Sequence, residues 1–268
     1  MADLIDRYIL EVLPRMKGEI EDRIRLNAIK RHPACKMPLT NLTPTVMCQY
    51  RDERLTKISA GTVISELAYF SSIINHARRE WDVNIDNPVR MVRKPQSPQG
   101  RNRTLSATEK QALLVAVKPS GRRNFWLEPV VKLALEAAMR RGELLSLRWS
   151  NIDLKRRTAL LETTKNGERR IVPLSSSAVD ILHNLPRNIG GEVFPVSACA
   201  LSAMFDRAVT RAGLLDFRFY DLRHTAITEL AKKLTNLLEL SAVSGHKSLK
   251  MLQRYYHPNA EQLAQKLG

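Results

Sequence analysis

Apolar residues recur at helical spacing through most of the chain. In GTVISELAYFSSIINHARREW, Val63, Leu67, Phe70 and Ile74 fall three and four apart, which lines one face of a helix. Upstream, Thr43 followed by Pro44 predicts an N-cap with proline at the first helical position, opening a helix over TVMCQYRDERL. Asn87-Pro88 stops the stretch that follows. Residues 1–95 are therefore expected to form a small all-α domain of about four helices. The segment VRKPQSPQGRNR, 92–103, has two prolines, a glycine and four basic residues and reads as a linker, with 96–103 as its basic body. Such a linker either lies on a DNA backbone or is a solvated loop.

Past the linker, Ser106 and Glu109 predict a capping box at the start of SATEKQALLVAV. PVVKLALEAAMR is apolar and Ala-rich, as a buried helix would be. The texture then changes. NIDLKRRTALLETTKNGERRIVPL holds two β-like runs, TALLE and RRIVPL, around KNGE, and Asn166-Gly167 between them is a hairpin signal. Helical patterning returns from Ser176 to the end. The expected fold class is mainly α with a small β-meander, the second domain (104–268) being mixed α/β and mostly helical.

Composition narrows the class. The 268 residues suit two modest domains or one large one, and 44% hydrophobic content fits a globular chain. Forty-three Lys and Arg against 27 Asp and Glu leave a net charge of +16. That excess speaks for nucleic acid as partner, over a merely basic protein or a membrane-surface binder. Cys35, Cys48 and Cys199 are scattered, with no zinc-like spacing, so neither a disulfide framework nor a structural metal is indicated. The opening MADLIDRYILEVLPRMKGE has no apolar signal core, and no run reaches the ~20 apolar residues of a membrane span. A cytoplasmic, nucleoid-associated protein without cofactor or metal is expected.

Four short segments of the second domain carry strong polar residues where a helix core would be apolar. In AAMRRGELLSLRW, Arg140 follows an apolar helix and Glu143 lies three residues on. Lys165 sits at the hairpin tip. In FYDLRHTAITEL, Asp221 reads as an N-cap, which would put Arg223 and His224 in the first helical turn, where an anion is favoured. In SGHKSLKMLQRYYHP, Gly245 can end one helix and Ser248 cap the next, leaving His246 in the turn. Taken singly, each is more often a surface cap, a solvated tip or a turn residue. Together they are two arginines, a lysine, a histidine and a tyrosine. Arginine forks suit a phosphate bidentately, two of them can stabilise a pentacoordinate transition state, and a tyrosine can form an ester with phosphorus.

In type, order and spacing these segments resemble the tyrosine recombinase (phage-type integrase) family over 104–268. The family's Arg-x-(Gly/Ser)-Glu appears as Arg140-Arg141-Gly142-Glu143, its hairpin lysine as Lys165 in TKNGERRIVPL, and its His-x-x-Arg-His box as Tyr220-Asp221-Leu222-Arg223-His224. The Gly-His turn gives His246, and the nucleophile segment gives Arg254-Tyr255-Tyr256-His257. Residues 1–95 resemble the family's helical core-binding domain less specifically. The chain looks closest to shufflon-type DNA invertases and simple phage integrases, without an obvious arm-binding domain.

The resemblance implies a two-domain clamp around double-stranded DNA at inverted-repeat core sites, a tetramer on synapsed DNA, and room for an accessory DNA-bending protein. It implies attack by Tyr255 to form a 3′-phosphotyrosyl link, oxygens held by Arg140, Arg223 and His246, and Lys165 as general acid, with Glu143, His224 and His257 in support. Tyr220 departs from the pattern. It stands where histidine is usual, and with a reference pKa near 10 it is a poor base at neutral pH. A type IB-like relaxing enzyme and a non-catalytic DNA-binding regulator are the competing readings.

A helical wheel over LKMLQRYY, at about 100° per residue, puts Leu249, Leu252 and Tyr256 on one stripe and Met251 and Tyr255 on another side. Tyr256 is thus expected to pack and Tyr255 to face the phosphate. Ala260, Leu263, Ala264 and Leu267 form a small apolar stripe on a terminal helix, 258–268, which family resemblance would dock on a neighbouring protomer.

Overall fold

In the computed structural model the chain falls into two compact units, Met1–Gly100 and Arg101–Gly268. The structure describes residues 1–16, 18–119, 125–162, 169–234, 236–256 and 264. Lys165, His257 and the 258–268 helix, Ala264 apart, lie outside the described residues.

The first unit is helical: α1 (Ala2–Glu11), α2 (Glu19–Lys30), α3 (Pro33–Lys36), α4 (Pro44–Leu55) and α5 (Ala60–Glu80). Thr43 caps α4 as expected, its side chain accepting from the Val46 N–H with Pro44 in the first turn. Val63, Leu67, Phe70 and Ile74 are all buried along α5. They meet Ile5, Leu13, Leu26, Met47 and Tyr50 in one core.

That core contains one charged side chain. Glu66 on α5 accepts hydrogen bonds from the Tyr50 hydroxyl (2.7 Å) and from two nitrogens of Arg54 (2.9 and 2.6 Å). Burial and the Glu66 carboxylate hold the Tyr50 hydroxyl well above the ordinary tyrosine range. Glu66 therefore ties α4 to α5 through a bidentate arginine and a buried phenol.

The second unit runs α6 (Ala107–Ala116), α7 (Leu127–Ala137), α8 (Arg141–Leu145), β1 (Ile152–Asp153), β2 (Thr158–Leu161), β3 (Arg170–Pro173), α9 (Ser176–His183), α10 (Ala198–Arg211), α11 (Phe219–Lys233), α12 (Leu237–Ser244) and α13 (Leu249–Leu252). The expected class holds: mostly helix, with one antiparallel sheet of order β1-β2-β3. The capping box at Ser106 and Glu109 is present. β2 and β3 pair as the hairpin predicted, Ala159 opposite Val172 and Leu161 opposite Arg170, with Ala159, Leu161 and Val172 turned into the core. The apolar helix α7 is the centre of that core, with Leu127, Val130, Val131, Leu133 and Ala134 buried.

Three expectations are corrected. Asp221 is not the N-cap of its helix. Arg218 is, and Asp221 stands at the third helical position and accepts from the Arg218 N–H at 2.8 Å. A capping box can be read in either direction from a single acidic residue, and here it reaches back. Arg223 and His224 consequently lie beyond the first turn. The basic end of the linker is not simply solvated either. Arg101 forks onto Asp216 and onto fully buried Asp221, and Arg103 pairs with Glu109. Finally, the chain after Leu252 does not stay α-helical, which changes the placement of the two tyrosines described below.

Removing the Glu66 carboxylate should leave a buried phenol and a half-buried guanidinium without their acceptor. Glu66→Ala is expected to cost roughly 3 kcal/mol, read as lost hydrogen-exchange protection of the α4 and α5 amides in the full chain. A loss below about 0.5 kcal/mol would show the cluster to be energetically neutral.

Candidate active site

The site is assembled around the C-terminal end of α12. A helix ends with carbonyls that have no partner within it, and these carry the negative end of the dipole. Here three arginines from three separate elements take the last of them. Arg170 of β3 donates to the Val243 carbonyl at 2.6 Å, Arg223 of α11 to that of Ser244 at 2.6 Å, and Arg140 to that of Gly245 at 3.3 Å.

Gly245 makes this approach possible. It ends α12 in the left-handed conformation (φ +68°). A Cβ there would stand 2.7 Å from Nε of Arg170. Any other residue would be strained in the backbone and would push Arg170 away.

Each arginine is fixed at a second point. Arg140 precedes α8 and bonds Glu143 twice, the backbone N–H to Oε2 at 2.9 Å and the guanidinium to Oε1 at 2.6 Å. Arg170 donates to Oε2 of the same carboxylate at 2.8 Å. Arg223 also donates to the Ala138 carbonyl. Ala138 itself ends α7 at φ +49°, a left-handed turn unusual for alanine, and it is fully buried. That turn aims its carbonyl at Arg223 while the chain swings into Arg140.

Two guanidinium groups thus hold one buried carboxylate, and the charge of a third, Arg223, also feels it. Burial pushes the Glu143 carboxyl up, but the Arg140 N–H and the Arg170 charge outweigh it and hold it below the usual range. Burial, with repulsion from Arg140, lowers Arg223 to about 10, so it stays charged at neutral pH. Among the described residues, Nε of Arg223 and Nε of Arg170 are buried without a partner. An excess of positive charge with an unsatisfied donor is an environment that favours an anion.

His246 follows Gly245 in the turn, as expected, and is buried. Its Nδ1 lies 2.8 Å from the Ser244 hydroxyl. Burial and the charges of Arg223 and Arg140 lower its pKa to about 4.

Tyr255 is the other pole. The chain tightens from α13 into a 3-10 turn over Gln253–Tyr255. In that turn residues three apart eclipse. Leu252 and Tyr255 therefore share a face, and Tyr255 packs beside Ala138, Ala226, Ile227, Leu240 and Leu252. The wheel prediction is modified on this point: Tyr255 also contributes to packing, and Tyr256, half-buried like it, closes the turn. The Tyr255 hydroxyl nevertheless points inward, hydrogen-bonded to Nδ1 of His224. Burial, with Tyr220 nearby, raises its pKa.

Tyr220 is 52% exposed and meets His224 with its ring edge, centroids 5.1 Å apart. It lines a hollow of about 520 Å³ together with Arg140, Arg141, Ser202 and Arg223. The sequence-predicted residues Arg140, Glu143, Tyr220, Arg223, His224, His246 and Tyr255 are thus brought to one region. Arg170 and Ser244 were missed. Their only sequence signal is position: Arg170 is the second of a basic pair entering the apolar VPL strand, and Ser244 precedes the Gly-His turn.

The sequence profile of the phage integrase family matches residues 103–262. A shufflon-specific DNA recombinase of Escherichia coli is 39% identical, over 100% of this chain and 71% of that protein. Among solved structures, a lambda integrase dimer bound to a COC′ core site superposes with a TM-score of 0.79 at 22% identity, covering 97% of this chain and 96% of that chain. A lambda integrase tetramer bound to a Holliday junction gives 0.78 at 23% identity, covering 95% and 76%. The two structural likenesses speak to fold; the profile and the full-length relative reach further, and on them the chain belongs to the phage integrase family.

Proposed function

We propose that this chain is a site-specific DNA recombinase that cuts and rejoins strands through a covalent 3′-phosphotyrosyl intermediate at Tyr255. The observation that carries this reading is the convergence of Arg140, Arg223 and His246 on one helix end, with the inward-pointing Tyr255 hydroxyl held by the helix that bears Arg223.

In this reading Tyr255 Oη attacks phosphorus and the bond from phosphorus to the 5′ oxygen breaks. Arg140 and Arg223 hold the non-bridging oxygens, where they meet the charge that grows in the transition state. His246 adds a hydrogen bond to the same oxygens. Glu143 and Arg170 act through Arg140, keeping its fork in place. Lys165 supplies the proton to the departing 5′ oxygen. The 5′ hydroxyl of a partner strand then reverses the step. The ester conserves the bond energy, so the exchange as written needs neither ATP nor a metal.

The first unit is assigned to bind duplex DNA at inverted-repeat core sites, in keeping with the +16 charge. Exchange between two duplexes calls for a tetramer, and the 258–268 segment is the candidate tie between protomers. The shufflon-specific relative makes inversion the favoured outcome. Among the described residues no helix is long and apolar enough to cross a membrane; a cytoplasmic, nucleoid-associated location follows from the proposed substrate.

Incubated with nicked suicide duplexes bearing inverted repeats, the wild type should form a protein–DNA adduct that survives denaturation. Tyr255→Phe should abolish it while leaving non-covalent binding within a few-fold. An adduct that persists in Tyr255→Phe would move the nucleophile elsewhere. Strand exchange between two duplexes, as against relaxation of one circle, separates a recombinase from a type IB-like enzyme.

His246 gives a pH signature. Folded, its imidazole stays neutral down to about pH 4, while in the unfolded chain it is protonated below about 6.5. Between those values the unfolded state binds the extra proton, so stability rises with pH across the window and is lost as acid is added. A phosphate between Arg140 and Arg223 offsets their repulsion and should raise the pKa. DNA binding at pH 5.5 is therefore expected to take up protons, visible by calorimetry in buffers of different ionisation enthalpy, and His246→Asn should diminish the uptake. Equal uptake by the variant would remove His246 from the phosphate site.

A further inference from the structure

We propose that His224, and not Tyr220, is the general base that takes the proton from Tyr255 as it attacks DNA. This rests on the recombinase reading above and adds to it the one role that Tyr220 leaves vacant.

The argument starts from position. His224 lies one helical turn beyond Tyr220 on α11, so the two side chains share a face. His224 is the inner of the pair, 5% exposed against 52% for Tyr220. Only the inner one hydrogen-bonds the reacting atom, through Nδ1 to Tyr255 Oη, with the two rings inclined at 31°. Proton transfer requires contact of this kind before any matching of acidity.

The protonation state is also suitable. Burial lowers the His224 pKa, with Asp221 opposing that shift and Arg254, Arg223 and Arg101 reinforcing it. The imidazole is then neutral at pH 7. For Nδ1 to accept, the ring proton sits on Nε2. The charged and titratable groups around it are Asp221, Arg223 and Tyr220 on its own helix, Arg254 and Tyr255 on the terminal turn, Arg101 from the linker, and His246 after α12.

The step balances. The Oη–H bond breaks and its proton moves to Nδ1. The oxygen pair forms the bond to phosphorus, and the bond to the 5′ oxygen breaks with its pair on that oxygen, which Lys165 protonates. The imidazolium so formed is favoured by the charge of Asp221 and disfavoured by those of Arg254, Arg223 and Arg101. It is a short-lived acid, suited to return the proton to Oη when the 5′ hydroxyl reverses the reaction. Tyr220 is exposed and meets His224 rather than the Tyr255 hydroxyl, and a neutral phenol is a poor proton acceptor.

Single-turnover cleavage of a nicked suicide duplex tests this. His224→Gln keeps a polar side chain but loses basicity. We expect its rate to fall roughly 10²- to 10³-fold, with DNA affinity and far-UV circular dichroism unchanged. Its log rate should rise with unit slope from pH 7 to 9, where the wild type has levelled off. Tyr220→Phe should stay within about fivefold of wild type. A duplex carrying sulfur at the bridging 5′ position, whose thiolate leaves without a proton, should rescue Lys165→Ala but not His224→Gln. If glutamine disturbs packing, His224→Asn, with an amide atom near the Nδ1 position, takes its place. A variant cutting within threefold of wild type, a larger loss in Tyr220→Phe, or sulfur rescue of His224→Gln each overturns the base assignment while wild-type cleavage leaves the recombinase reading intact. No adduct from wild type on any inverted-repeat duplex sinks that reading and this one together.

Discussion

Much of the second unit is arranged to finish one helix. The end of α12 exposes three consecutive carbonyls, at Val243, Ser244 and Gly245, and each is taken by a different arginine. Those arginines come from the hairpin, from α11 and from the turn between α7 and α8. A helix terminus is a fixed array of acceptors with a defined direction, so it aligns side chains that are distant in sequence. It is also negative, which lowers the cost of crowding like charges together. An apolar core could not have gathered three guanidinium groups; a helix C-terminus can.

The arrangement is balanced short of neutrality. Among the described residues Glu143 alone answers Arg140 and Arg170, and Arg223 has carbonyls for partners and one orphaned nitrogen. Burying an ion pair rarely adds stability, and burying surplus charge costs more. The residual positive potential is useful only if an anion arrives, and the depressed His246 pKa reports the same potential from another atom. Binding and catalysis then share a cause. The groups need no reorganisation when charge develops on phosphorus, because the protein has already aligned them against their mutual repulsion.

The sequence was legible wherever local physics acts alone. Thr43-Pro44, the Ser106–Glu109 box, the hairpin pairing of β2 with β3 and the Gly245 turn all depend on residues within a few positions of each other. The buried face of α5 follows from period alone. What could not be read was set from a distance. Asp221 looked like a cap because nothing local says that Arg101, 120 residues earlier, will hold its carboxylate. Arg170 looked like one more basic residue beside a turn, since its partners lie at Glu143 and Val243. The packing of Tyr255 was missed for a smaller reason: a four-residue helix that tightens to a 3-10 turn brings Tyr255 onto the face of Leu252.

That same short helix bears on how the proposed nucleophile is kept. α13 has one buried residue, Leu252, and its N-cap Ser248 makes no side-chain bond to the helix it opens. Beyond it, Tyr255 is placed by partial burial beside that leucine and by the His224 hydrogen bond. The arginine cradle is over-determined, with two anchors for each guanidinium, whereas among the described residues the tyrosine hydroxyl is held only by side chains, His224 and Arg254. Segments with few buried contacts open at low cost compared with the core around them. In the proposed reaction the arginines that would receive the phosphate can thus stay rigid while the attacking tyrosine moves. For a reaction that must break a strand only after another duplex is in place, mobility belongs on the nucleophile and rigidity on the groups that receive the phosphate.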